Sequence, residues 1–227
     1  MTVHDSAQKA FTEIVRDRRA TPNFLSDPVP DADLEKILAA GLNAPSAYNL
    51  QPWRFVVVRD LANRRKLQVA SLNQPKIEQA PVVLIACASL TGWKEGDLEE
   101  VIALARANGY GDEVRYASWR RNVASLFGSE AGPIGGIAPD LAVWGNRHTM
   151  IAFTTMMWMA ETLGYDTAPM EGFDEGKVKA AFSIPPEIRI VALLAIGRRK
   201  EADKLFAGRF PMSRTVFAEK WGEAITF

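Results

Sequence analysis

The sequence predicts an α+β protein with a small mixed central sheet flanked by helices. Three observations point there. Only the stretches 53–59, 81–89 and 188–197 have the length and apolar, β-branched character of strands entering a core, and helical segments separate them. A long segment, from about Pro139 to Gly164, carries Val143, Trp144, Met150, Phe153, Met157 and Trp158 on nearly all sides of a helix. Such a helix is buried all round, at the centre of the core or in a dimer interface. No GxGxxG or GxxxxGK[ST] joins a strand to a helix, which removes the dinucleotide-binding Rossmann unit and the P-loop.

The elements follow in order. Residues 5–19 place Ala10, Phe11, Ile14 and Val15 at helical spacing, with Asp5 or Ser6 as cap. The prolines of "TPNFLSDPVPD" then enforce an extended loop, and Asp31 can cap a helix whose apolar face is Leu34, Ile37, Leu38 and Leu42. "APSAYNLQPWRFVVV" (44–58) is a polar turn feeding the first strand. A short helix (60–71) and a turn at "LNQPK" precede "PVVLIACAS". Segment 90–138 reads as two helices and a Gly/Pro loop, either a lid or a plain surface excursion. Gly164 ends the long helix, and "YDTAPMEGFD" turns into a helix capped by Asp174. After the strand 188–197, the tail holds Phe206, Phe210, Phe217, Trp221 and Phe227, too aromatic for solvated disorder, and is expected to pack on a second subunit.

Composition narrows the function. The 227 residues are 48% hydrophobic and 24% charged, an ordinary globular balance with room for one large domain or two small ones. Lys+Arg and Asp+Glu are 27 each and no basic stripe interleaves with aromatics, so no nucleic-acid partner is expected. The single Cys87 excludes an internal disulfide framework and suits a reducing compartment. With only His4 and His148, neither a His-ligated metal centre nor a Ser-His-Asp triad is expected. No apolar leader is visible, and "MIAFTTMMWMA" is too short to span a bilayer, so a soluble cytoplasmic protein is expected.

Four separated segments share one pattern: "RDRRATPNF" (16–24), "APSAYNLQPWRFVVV" (44–58), "APMEGFD" (168–174) and "AIGRR…PMSR" (195–214). In order and spacing they resemble the FMN-dependent nitroreductase family, as do "NQPKIEQAPVV" (73–83) and "NRHTMIAFTTMMWMAETLGYDT" (146–167). The likeness runs from about residue 11 to 216 and is weakest in 90–138. It implies a single FMN-binding domain over 1–227, with a lid at 90–138 and a tail at 198–227 that embraces the partner of an intertwined homodimer.

The resemblance also implies roles. Arg18, Arg19 and Arg214 stand where the family holds the FMN phosphate, a task suited to planar guanidinium forks; by itself "RDRR" also reads as a solvated helix end. Pro45, Ser46 and Asn49 match the loop that reaches the flavin from the other subunit. Asn73 and Lys76 match a pair at the ring's pyrimidine edge and ribityl chain, where a cation favours the negative charge of the reduced ring. In Met170-Glu171-Gly172 the backbone N–H of Glu171 would face flavin N5, with Gly172 allowing close approach. No side-chain acid or base is assigned. Ala20, Pro22 and Met212 depart from the family's Ser and basic residues, making the pocket less basic. The implied reaction takes hydride from NADPH or NADH to the flavin, then to a nitroaromatic, quinone or activated alkene. Alternatives are a same-fold flavoprotein that dehalogenates or cleaves flavin, or a non-catalytic FMN-binding protein.

Overall fold

A computed structural model describes residues 11–128, 141–202 and 205–226. The expected cap at Asp5 or Ser6, the Gly/Pro loop 129–139, the helix start at Pro139 and the terminal Phe227 lie outside the described residues. Strands β1 (Trp53–Val58), β2 (Val82–Ser89), β3 (Asp166–Met170) and β4 (Ile188–Gly197) pair in the order β1-β2-β4-β3. Every ladder is antiparallel, which corrects the expected mixed sheet. The physical reason lies in the connections. Helices α3 (Leu61–Ala70) and α4 (Pro75–Gln79) follow β1 as a back-and-forth pair, so β2 begins where β1 stopped, Val83 opposite Val58. A single crossover helix would have made the neighbour parallel. Among the described residues, parallel pairing is confined to one bridge, Ala20 with Thr167.

Strand β3 was not expected from "YDTAPMEG", because its proline and glycine read as a turn. It lies at the sheet edge, where Pro169 leaves no central ladder position without a donor. "NQPK" likewise begins α4 rather than a plain turn, since proline at the first helical position serves both. Helix α2 (Asp31–Leu42) is preceded by Pro30 as its N-cap, and Asp31 is its first helical residue instead of its cap.

Every residue of β2 is buried, and its alternation divides the core. Val83, Ile85 and Cys87 face Leu67 and Ala70 of α3, Ile77 of α4 and Val178 of α8 (Glu175–Phe182). Val82, Leu84 and Ala86 face Ile37 of α2 and Phe153, Met156 and Ala160 of α7 (Leu141–Thr162). A bulge between Ala86 and Cys87 keeps β4 on the same two faces. Cys87 is buried, and desolvation pushes its thiol up to about 12, so it is an inert core residue.

Within the single chain, helix α7 is not enclosed on all sides. The sheet supplies one apolar wall, while Val143 and Ile151 on the far side stay 41% and 40% exposed. Helices α5 (Leu98–Ala107) and α6 (Glu113–Gly128) form a separate cluster in which Leu98, Ile102, Tyr116, Val123 and Phe127 close on Trp144 and Leu50. The tail is exposed in the single chain, Trp221 at 91%. Among the described residues no helix is long and apolar enough to cross a membrane.

Candidate functional site

The first group of candidate residues gathers along the edge strand. Helix α1 (Phe11–Asp17) ends just before Arg18-Arg19-Ala20, and Ala20 bridges to Thr167 while the Thr21 N–H donates to the Thr167 carbonyl at 3.1 Å. Arg18 is half-buried with its guanidinium carbon 5.8 Å from the Trp158 ring centroid, and its Nη1 is buried without a hydrogen-bond partner. A buried charged donor without an acceptor is costly, and an anion's oxygen could satisfy it. Arg19 is committed elsewhere: Nη1 donates to the carbonyls of Arg16 and Arg18 at 2.7 and 2.8 Å, and its fork lies 4.2 Å from the Phe206 ring centroid.

Strand β3 runs on into Met170, Glu171 and Gly172. The loop between α3 and α4 meets it there, with Gln74 Nε2 donating to the Gly172 carbonyl at 2.8 Å and the Asp174 N–H donating to the Ala70 carbonyl at 2.8 Å. A Cβ on Gly172 would stand 3.2 Å from Gln74 Nε2 and 3.4 Å from Leu72 Cδ1, so the approach is close. Asn73 and Lys76 flank this Gln74 contact in the chain, Asn73 on the loop and Lys76 in the first turn of α4.

Beside Thr167 of β3 sits Glu161, in the last turn of α7, which sequence reasoning did not single out. Thr167 Oγ1 donates to its Oε1 at 2.6 Å. Burial pushes the carboxyl up to about 7, with Asp166 adding to the rise and the Thr167 hydrogen bond, Arg18 and Arg199 opposing it. One signal was available: an acid in the last turn of α7 opposes the helix dipole and calls for an explanation.

The second group lies between α2 and β1. Ser46 Oγ accepts from the Gln51 N–H at 3.0 Å, and Tyr48, Asn49 and Gln51 hold φ of 53°, 56° and 46°. Pro45, Ser46 and Asn49 thus lie on a left-handed turn built without glycine. A cavity of about 440 Å³ opens between this turn and the α5–α6 helices, lined by Tyr48, Asn49, Leu104, Asn108, Tyr110 and Trp119. The ring centroids of Tyr110 and Trp119 are 6.1 Å apart. These aromatics were passed over individually; their clustering in the segment of weakest resemblance was the available signal.

Arg214, on α9 (Met212–Thr215), is exposed, with its guanidinium 3.9 Å from the Phe210 ring centroid. Among the described residues no group of three His, Cys, Asp or Glu side chains is placed to hold a metal ion.

Residues 15–198 match the profile described as "Nitroreductase family". The chain is 36% identical over 199 residues to a protein of Thermus thermophilus named NADH dehydrogenase, covering 88% of this chain and 91% of that one. Two solved structures share the fold. One, from Exiguobacterium sibiricum, is assigned as a nitroreductase in complex with FMN, with a TM-score of 0.80, 24% identity and coverage of 92% and 97%. The other is an enone reductase of gut-bacterial fatty acid saturation, with a TM-score of 0.78, 20% identity and coverage of 93% and 99%.

Proposed function

Because the chain belongs to the nitroreductase family, we propose that it is an FMN-dependent NAD(P)H oxidoreductase acting on electron-poor acceptors. The observation that carries the reading is the buried, unpartnered Nη1 of Arg18 beside β3, a donor that a phosphate would satisfy. Arg18 and Ala20 would meet the phosphate end, Arg19 would flank it, and Arg214 would join from the tail. Asn73 and Lys76 would hold the ring edge, with Lys76 supplying positive charge, and the Glu171 N–H would serve as the donor at the reactive edge that Gly172 lets come close. FMN supplies the two-electron chemistry when bound; the protein's part is to bind, orient and exclude water.

The second group, Pro45, Ser46 and Asn49, would act on the flavin of the other subunit. A homodimer in which each chain lends this turn and its α5–α6 cavity to the partner's flavin would bring the groups together. That arrangement also gives the exposed side of α7 and the aromatic tail an apolar surface to cover. NADH or NADPH would give up its hydride at the site and leave, and a nitroaromatic, quinone or activated alkene would then occupy the same place beneath Trp119 and Tyr110.

The test is anaerobic. The protein is reconstituted with FMN, and the absorbance of bound oxidised flavin is followed during titration with NADPH and then NADH. Bleaching by either is expected; flavin that binds and stays yellow with both would overturn the reductase reading.

A further inference from the structure

We propose that Arg54 is a positioning residue that braces the strained turn 46–51 to the root of α5, and so fixes the acceptor side of the site. Arg54 leaves β1 and spends both terminal nitrogens on different structures. Nη1 donates to the carbonyls of Gln51 and Trp53 at 3.0 and 2.9 Å, while Nη2 donates to both carboxylate oxygens of Asp97 at 2.8 Å each. Asp97 is the last residue of the π-helical turn Trp93–Asp97, immediately before α5.

The surroundings are built to admit that carboxylate. Gly92 stands so near it that a Cβ there would overlap Asp97 Oδ2, so only glycine leaves the room. The Gly92 N–H donates to Ser89 Oγ at 3.1 Å, and the Ser89 N–H donates to the Pro52 carbonyl at 2.7 Å. Gln51, Pro52, Ser89, Gly92, Asp97 and Arg54 thereby close a ring of contacts between the turn and the root of α5. Leu50 strengthens the same joint by packing among Leu98 and Ile102. From α5 the link continues to α6, where Arg120 Nε and Nη2 donate to Glu99 at 2.7 and 2.6 Å. Asp97 holds Arg54 at one end and Gln51, in the left-handed region, is held at the other. The brace therefore ties together two walls of the 440 Å³ cavity, Tyr48 and Asn49 on the turn and Leu104 on α5.

The consequence for the acceptor rests on the proposed function, whereas the brace itself does not. Amide hydrogen exchange on the full-length protein, with and without FMN, reads the brace. Arg54→Ala is expected to raise exchange about tenfold in both 46–51 and the first turns of α5, Asp97→Asn to do the same, and the double variant to go no further. With FMN, NADH and benzoquinone as the acceptor probe, the single variants are expected to raise KM for benzoquinone several-fold while kcat changes less than twofold. An ordinary surface ion pair would leave exchange in α5 unchanged, or give additive effects, and either result overturns the brace. Exchange that loosens as expected in a protein whose flavin neither nicotinamide reduces would support the brace and overturn the reductase reading.

Discussion

Replacing Glu161 by Gln tests whether a neutral acid behind Arg18 is part of the design. The carboxyl is raised from the ordinary 4.5 to about 7, first by burial. At about 1.4 kcal/mol for each tenfold change in proton affinity, that interval is roughly 3 kcal/mol, an upper figure because water reaches part of the group. The sign follows from linkage. Between pH 4.5 and 7 the folded chain holds a proton that the unfolded chain has released, so stability falls as pH rises through that window. The contribution is fully present below about 4.5 and lost above about 7. Gln keeps the volume and an acceptor for the Thr167 hydroxyl but cannot ionise. Urea unfolding of flavin-free protein at intervals from pH 5 to 8 should show wild type losing up to about 3 kcal/mol relative to Glu161→Gln, other titrations cancelling in the difference. Parallel pH profiles would refute the reasoning. The same titration bears on the cofactor: ionised Glu161 adds a negative charge near Arg18, so FMN affinity should fall above pH 7 in wild type and less in the variant.

Arg18→Ala should weaken FMN binding about tenfold to a hundredfold, the range for a charge-assisted hydrogen bond, by flavin fluorescence titration; unchanged affinity would remove Arg18 from the phosphate end. Lys76→Ala should lower the potential of the bound flavin by roughly 20–40 mV, on a scale where 30 mV is about 1.4 kcal/mol for two electrons, and a potential that stays put would leave Lys76 a surface residue. Light scattering should report a dimer, and a monomer with full flavin affinity would contradict the shared site.

Three of the four strands were legible as apolar runs, and most helices as periodic apolar faces. Residues 82–89 had to enter a core, and the helices around them follow from Leu34, Ile37 and Leu67, which are now found packed on the two sheet faces. What escaped depended on partners distant in the chain. "DTAPM" becomes a strand only because Leu193–Gly197 of β4 offers a free edge, and no local pattern reveals that edge. The first group of candidate residues was named from the family resemblance, which says nothing of their burial. That Arg18 is left with an unpartnered buried nitrogen while Arg19 is spent on carbonyls depends on how α1 meets β3. The brace was invisible for the same reason, since Arg54 and Asp97 are far apart in sequence and ordinary residues where they stand.

Backbone strain joins these levels. Seven non-glycine residues take positive φ among the described residues, and five of them, Tyr48, Asn49, Gln51, Leu72 and Asn73, lie on the two loops that carry the candidate site. Such conformations cost on the order of 1 kcal/mol or more each and persist only where contacts over-determine them. The contacts are now identifiable. Ser46 Oγ and Arg54 hold Gln51 from its two peptide sides, and Gln74 ties its own loop to Gly172. The polar letters that precede a hydrophobic strand in "APSAYNLQPWRF" are therefore clamps as well as ligand candidates. Glycine at the strained positions would relieve the cost and widen the unfolded-like freedom of each loop. Side chains there instead keep both loops in one shape before any ligand arrives, so binding need not supply the ordering entropy.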